Sequence, residues 1–260
     1  MKVIAHRGAC TEALENSWEA FEKAIDAGSF RIELDVHLTR DGQLIVIHDE
    51  SFARTANSSQ ELTYLTRSEI EQSVRLKNGE KVPFLDEVLD RYLSRIEFNV
   101  EIKSEGLATV EAVGSICRKS SHPDRIIISS FNQETCQWLS KKFPELKIAL
   151  LWDKSLWWPG SFAWGPVRFM RKNGIRIFHP DARLVTPAMV KGIKSRGWSI
   201  YPYVGLRKEQ NPTELWIYLK TCGVDGLCTN YPREMLLWLQ EVDDDRNRFE
   251  HIKALENRIP

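Results

Sequence analysis

The sequence predicts an α/β protein: a single (β/α)8 barrel, the TIM-barrel architecture, with a small insertion after its second strand. Three observations predict it. Short β-branched runs alternate with amphipathic stretches along most of the chain. About eight such strand–helix units can be counted. The length of 260 residues matches the ~250 that this architecture needs. Alternation of this kind means a parallel sheet covered by helices, and eight units favour closure over an open edge. A doubly wound open sheet is the competing arrangement, but no glycine-rich phosphate loop follows any early strand.

The elements follow in order. Val3–Ala5 is a short apolar run that starts the series. Ser17–Ala27 reads as a helix, with Ser17 placed to cap its first turn and Gly28 to end it. Phe30–Leu38 reads as a strand, and Leu44–Ile47 as another beyond an Asp41-Gly42 turn. Residues 49–84 are polar and helix-poor, an excursion that precedes the helix predicted over Leu85–Leu93. Strands are then predicted at Ile96–Ile102, Ile126–Ser129, Lys147–Leu151, Ile175–Phe178, Ser199–Tyr203 and Gly226–Cys228. Helices are predicted at Leu107–Lys119, Gln133–Lys142, Val167–Lys172, Pro187–Arg196, Thr213–Thr221 and Arg233–Gln240. The barrel domain is thus expected over residues 1–240. The charged segment 241–260 is expected to be a solvated helix or a frayed tail.

Composition narrows the function. Hydrophobic residues make up 42% of the chain and charged residues 28%, as in ordinary globular proteins. The 36 basic and 36 acidic residues cancel, which argues against nucleic-acid binding driven by bulk charge and leaves room only for a local basic pocket. No apolar run is long enough to span a bilayer or to serve as a leader, so a cytoplasmic protein is expected. Five cysteines without CxxC spacing fit reduced thiols.

Chemistry in such a barrel sits where strands end and the following loops begin, and the polar residues gather there. His6 and Arg7 directly follow the first strand. Glu33 and Asp35 lie two apart on the second, so both carboxylates share one face. Glu101 and Lys103 repeat this at the end of the Ile96–Ile102 strand. Charges facing a barrel interior are costly unless paired or metal-bound. The three carboxylates suit one hard divalent cation, Mg²⁺ or Ca²⁺, rather than zinc, for which no Cys/His spacing exists. His6 and His48 add two groups that titrate near neutrality, and Arg7 and Lys103 add positive charge for a phosphate. Asp49 could orient His48 or simply turn the chain. His37 shares the face of Glu33 and Asp35 and is expected to support the site rather than ligate. Asp225 and Asn230 are expected, at most, to shape the rim.

At these residues the chain resembles the glycerophosphodiester phosphodiesterase family. The matching segments are Ile4-Ala5-His6-Arg7-Gly8, Glu15-Asn16-Ser17, Glu33-Leu34-Asp35-Val36 running on to Asp41-Gly42, His48-Asp49, Val82-Pro83-Phe84-Leu85-Asp86-Glu87, Glu101-Ile102-Lys103, and Gly223 through Pro232. Their order and spacing cover the chain from Val3 to about Leu236. The resemblance implies hydrolysis of glycerophosphodiesters to glycerol 3-phosphate and an alcohol. It implies Glu33, Asp35 and Glu101 as metal ligands, and His6 and His48 as the acid/base pair. Arg7 and Lys103 would hold the phosphate, with Glu15 in support. Phe131 and Tyr203 would line the substrate pocket. The chain departs from the family pattern at Ser17, where threonine is common, at Gly28-Ser29-Phe30, at Tyr203, near Leu206, and at Asn230, where aspartate is frequent. An aromatic segment within Leu150–Met170, which includes Trp157 and Trp158, could pack on the barrel or touch a lipid or membrane surface. The latter would favour a lysophospholipid substrate and lysophospholipase D chemistry. A phosphate- or lipid-binding module without turnover is the remaining alternative.

Overall fold

The structure is a computed structural model that describes residues 1–104, 106–153, 165–205 and 212–256, with side chains of the last segment described as far as 244. Its centre is a parallel sheet. In chain order the strands are β1 (Lys2–His6), β2 (Arg31–Leu38), β3 (Leu44–Val46), β4 (Glu97–Ile102), β5 (Ile126–Ser130), β6 (Lys147–Trp152), β7 (Ile177–Pro180), β8 (Ser199–Ile200) and β9 (Gly226–Thr229). They are bonded in the order β8-β7-β6-β5-β4-β2-β1-β9, and β3 folds back antiparallel on β2. Tyr203 closes the circle through parallel bridges to Asp181 on one side and Cys228 on the other. The sheet is thus an eight-stranded (β/α)8 barrel.

The predicted strand Ser199–Tyr203 is regular only over its first two residues. Val204 N–H donates to the Cys228 carbonyl, and Cys228 N–H donates to that of Pro202. The rung two residues earlier would need an N–H from Pro202, which has none. The last seam therefore consists of single bridges.

The helices are α1 (Trp18–Asp26), α2 (Arg67–Ser73), α3 (Leu85–Tyr92), α4 (Leu107–Lys119), α5 (Gln133–Lys142), α6 (Gly165–Lys172), α7 (Pro187–Lys194), α8 (Pro212–Cys222) and α9 (Pro232–Glu256). Their starts are written locally. The side chains of Ser17, Asn132 and Thr186 accept bonds from the N–H groups of Ala20, Thr135 and Met189, each such cap contributing about 1 kcal/mol. Helix α9 runs on to Glu256, through the segment read as a charged tail. Among the described residues no helix is long and apolar enough to cross a membrane.

Alternation along β2 decides where the core sits. Ile32, Leu34 and Val36 point outward and join one large cluster with Phe98, Val100, Ile128, Leu150, Phe178 and the inner helix faces. Each fully buried side chain of this kind contributes roughly 1.5–3 kcal/mol. Arg31, Glu33, Asp35 and His37 point inward, so the barrel lumen is polar. Ile4, Tyr201 and Cys228 form a small apolar knot inside it, with Ile177 and Tyr203 packed against them.

The insertion differs from its sequence reading. It carries helix α2, begun by a reciprocal capping box between Thr66 and Glu69, and a hydrophobic cluster of its own containing Ile45, Phe52, Leu62, Ile70 and Phe84. One buried side chain, Ile70, anchors this seven-residue helix. Its apolar periodicity is therefore too short to read, although the Thr-x-x-Glu signature is present.

Candidate active site

Strand register brings the predicted residues together at the C-terminal ends of the strands. His6 pairs with Glu33, and Asp35 with Glu101, so side chains from β1, β2 and β4 lie side by side. One oxygen each from Glu33, Asp35 and Glu101 can be chosen so that all lie within 4.8 Å of one another. All three residues are buried, Asp35 completely.

Their ionisation reflects that crowding. Burial pushes the Glu33 carboxyl well above the usual carboxylate range, and the charges of Asp35 and Glu101 add to the effect. Burial also raises Glu101, against the pull of Lys103. At Asp35 burial works in the same direction, but Arg7 and Lys103 outweigh it and hold the carboxyl below its ordinary value. Glu33 Oε1 and Asp35 Oδ1 are buried and accept no hydrogen bond. Buried carboxylate oxygens left bare are costly, and a set of three hard oxygen donors suits Mg²⁺ or Ca²⁺. The residues present therefore fit a divalent cation.

Arg7 and Asn16 hold positive φ angles of 56° and 54°, and they are the only non-glycine residues to do so among those described. That conformation is uncommon outside glycine and marks a site where the surroundings impose it. It turns the Arg7 N–H toward Glu33 Oε2 at 3.0 Å. The guanidinium folds back over the carboxylates, with Nε 3.1 Å from Asp35 Oδ2 and NH1 donating to Glu15 Oε1 at 2.8 Å. Asn16 Nδ2 donates to Asp35 Oδ2 at 2.9 Å. Lys103 Nζ donates to Glu101 Oε1 at 2.7 Å and lies 3.5 Å from Asp35 Oδ1.

Each histidine is fixed through one nitrogen. His6 Nδ1–H donates to Asn230 Oδ1 at 2.6 Å, while Nε2 lies 3.8 Å from Glu33 Oε2. Burial, with Arg7 adding, lowers the His6 pKa to about 4, so the ring is neutral near pH 7. His48 Nδ1–H donates to Asp49 Oδ1 at 2.7 Å. Burial lowers its pKa too, although Asp35 and Asp49 favour the protonated ring. His37 does not face the carboxylates. Its Nε2–H donates to the His48 carbonyl at 2.9 Å and its Nδ1 meets Ser104 Oγ at 2.7 Å, so it pins the backbone of His48. Phe131 and Tyr203 meet edge to face at 5.7 Å, and both are partly exposed.

Two further contacts were not legible as roles. Asn16 stands inside a quoted motif without revealing that it braces Asp35. Asn230 reaches His6 across 224 residues of sequence, a pairing that no local pattern announces. Asp225, by contrast, lies away from the rim. It precedes β9 at the opposite end of the barrel, where its carboxylate accepts from Lys194 Nζ and the Ile200 N–H. Within the aromatic segment, Trp157 and Trp158 lie outside the described residues, as does Leu206.

The C-terminal mouth of the (β/α)8 barrel thus gathers an acidic trio, two tethered histidines and two cations. The chain belongs to the glycerophosphoryl diester phosphodiesterase family, whose model matches residues 6–234. It is similar to the glycerophosphodiester phosphodiesterase of Caldanaerobacter subterraneus subsp. tengcongensis, with 34% identity over 246 residues, 90% of this chain and 96% of that protein. It is more distantly similar to a human lysophospholipase D, with 22% identity over 271 residues, 90% of this chain and 84% of that protein. Among solved structures, the Thermotoga maritima glycerophosphodiester phosphodiesterase superposes with a TM-score of 0.71 at 27% identity, covering 92% of this chain and 96% of that one. An Oleispira antarctica phosphodiesterase in complex with the product sn-glycerol-3-phosphate shares the fold, with a TM-score of 0.79, 22% identity, and 92% and 97% of the two chains covered.

Proposed function

We propose that this chain hydrolyses small glycerophosphodiesters to glycerol 3-phosphate and an alcohol, with one divalent metal ion held by Glu33, Asp35 and Glu101 and with His6 and His48 exchanging the protons. The observation that carries the reading is the placement of two singly tethered histidines beside a buried, under-neutralised carboxylate trio. A bound Mg²⁺ or Ca²⁺ would supply Lewis-acid polarisation of a phosphoryl oxygen.

The chain's own groups do the rest. Arg7 donates NH1 to Glu15 and sets Nε 3.1 Å from Asp35 Oδ2, and its NH2 would serve a phosphate oxygen. Lys103 offers two further N–H donors besides the one given to Glu101. Both add charge stabilisation as negative charge grows on the phosphoryl oxygens. His6 is neutral, with Nδ1 bearing its proton, so Nε2 is in the state to accept one from the attacking hydroxyl. His48, whose Nδ1–H is held by the Asp49 carboxylate, would serve the leaving alkoxide. Each proton transfer is worth roughly 10²–10⁴-fold. Phe131 and Tyr203 would face the substrate at the rim. Five cysteines without a disulfide support a reducing compartment, the cytoplasm.

Phosphorus NMR tests the reading on glycerophosphocholine, glycerophosphoethanolamine and lysophosphatidylcholine, with Mg²⁺, Ca²⁺ or EDTA. Glycerol 3-phosphate formed from the small diesters only when metal is present is the expected result. Lysophosphatidic acid from the lipid alone would shift the substrate to lysophospholipids, the activity carried by the name of the human relative. Turnover undiminished in EDTA would remove the metal, and no product from any substrate would overturn the activity.

A further inference from the structure

Arg54 lies in the insertion, outside the assembled catalytic groups, yet its guanidinium grips both carboxylates that hold them. Its Nε and NH2 donate to Asp49 Oδ2 at 2.6 Å and Oδ1 at 2.9 Å. Its NH1 and NH2 donate to Glu15 Oε2 at 2.7 Å and Oε1 at 2.8 Å. The nitrogen NH2 thus serves two oxygens at once. They are Asp49 Oδ1, which accepts a hydrogen bond from His48 Nδ1–H, and Glu15 Oε1, which accepts one from Arg7 NH1. A continuous chain runs His48–Asp49–Arg54–Glu15–Arg7–Asp35.

We infer that Arg54 is a positioning residue that sets the tautomer of His48 and the aim of Arg7 together, held in place by the insertion's own core. This rests on the reading of His48 and Arg7 given above. The backbone supports it. Arg54 stands between Phe52 and Ala56, both buried in the insertion's separate hydrophobic cluster. Ala56 N–H bonds back to the Phe52 carbonyl, and Lys77 N–H ties the Thr55 carbonyl. The charge pattern supports it as well. Without Arg54, two carboxylates that now share one nitrogen would face each other with no cation between them. Asp49 would then turn toward water and release His48 Nδ1. Arginine is suited to this place because its planar fork binds two carboxylates bidentately, which a lysine ammonium does not reproduce.

A purely structural role and a positioning role predict different outcomes. The Arg54 side chain is 41% exposed, and exposed ion pairs contribute little to folding. The variant Arg54→Ala is therefore expected to unfold at nearly the same urea concentration as the parent. Its kcat/KM on glycerophosphocholine is expected to fall about 100-fold, mainly in kcat, as displacement of catalytic groups by about 1 Å does. Millimolar ethylguanidinium is expected to restore part of that loss, and Arg54→Lys is not. Arg40→Ala serves as the control, since it cuts another surface tie of the same insertion, to Glu69 and the Tyr64 carbonyl, and should leave kcat unchanged. A second readout needs no turnover: nitrogen-15 NMR of the His48 ring should show the Nδ1–H tautomer in the parent and its loss in Arg54→Ala. An inactive parent would overturn the proposed function while the tautomer still decides the role of Arg54. Parent-like turnover, or an unchanged His48 tautomer in Arg54→Ala, would overturn the inference. So would a rate loss matched by an equal loss of folding stability.

Discussion

Replacing Gly8 by alanine should damage fold and site together. Gly8 follows Arg7 in the loop after β1 and has φ +81°. A methyl group there would come within 2.7 Å of the backbone carbon and oxygen of Ala20. Ala20 cannot retreat easily, because its carbonyl accepts the Ala9 N–H at 2.9 Å and it is wholly buried in α1. The left-handed conformation costs an L-residue about 1–2 kcal/mol, and overpacking against fixed backbone adds about 1–3 kcal/mol, so the loss should total roughly 2–5 kcal/mol. Gly28→Ala separates the two costs. Its φ is +86° and nothing lies within 4 Å of the added methyl group, so only the conformational cost of about 1–2 kcal/mol remains. Urea unfolding of both variants measures the difference. Because α1 would be pushed off the loop that carries Arg7, turnover by Gly8→Ala should also fall by about 10²-fold, with Gly28→Ala near the parent. If the two variants were equal in stability and activity, the close approach of Gly8 to Ala20 would not matter and the reasoning would fail.

Two further outcomes are expected. Asn230→Ala strips the acceptor from His6 Nδ1–H and leaves a buried donor bare at a cost of about 1–3 kcal/mol; kcat should fall with little change in KM, whereas Asn230→Asp, which keeps an acceptor, should retain most of it, as steady-state kinetics on glycerophosphocholine would show. The His179 pKa is lowered by burial, with Arg31 adding, to about 3, below the ~6.5 of an unfolded chain. The unfolded state therefore binds a proton that the fold refuses, and stability should fall as pH drops from about 6.5 toward about 3. The variant His179→Phe keeps a ring against Tyr201 and should lose about 2 kcal/mol less than the parent between pH 7 and pH 5, measured by denaturant unfolding at both values; equal losses would refute it.

Much of this architecture is legible in the sequence. The ends of α4 and α5 coincide with their predicted limits, because caps and apolar periodicity are local signals. The alternation Arg31, Glu33, Asp35, His37 placed the acidic pair on one face. That same rule put His37 beside the carboxylates, but its side chain turns to Ser104 and the His48 carbonyl. Period-2 alternation gives a side and not a rotamer. The insertion looked polar because its apolar residues are spread over a wide stretch and meet only after the chain folds back, as at Ala56 opposite Leu76.

What the sequence determined by itself is whatever depends on neighbours a few residues away: the strand–helix alternation, the capped helix starts, the faces of β2 and β4, and the identity of the charged groups at strand ends. Tertiary structure decided which distant groups meet. Barrel closure pairs β1 with β9 and so sets Asn230 against His6. The separate core of the insertion places Arg54 between Asp49 and Glu15. Burial then shifts the ionisation of groups whose identity alone says nothing of their charge. The division has one physical cause: backbone propensity and capping act within a turn or a strand, whereas register, burial and electrostatics act through space on residues that the chain keeps far apart.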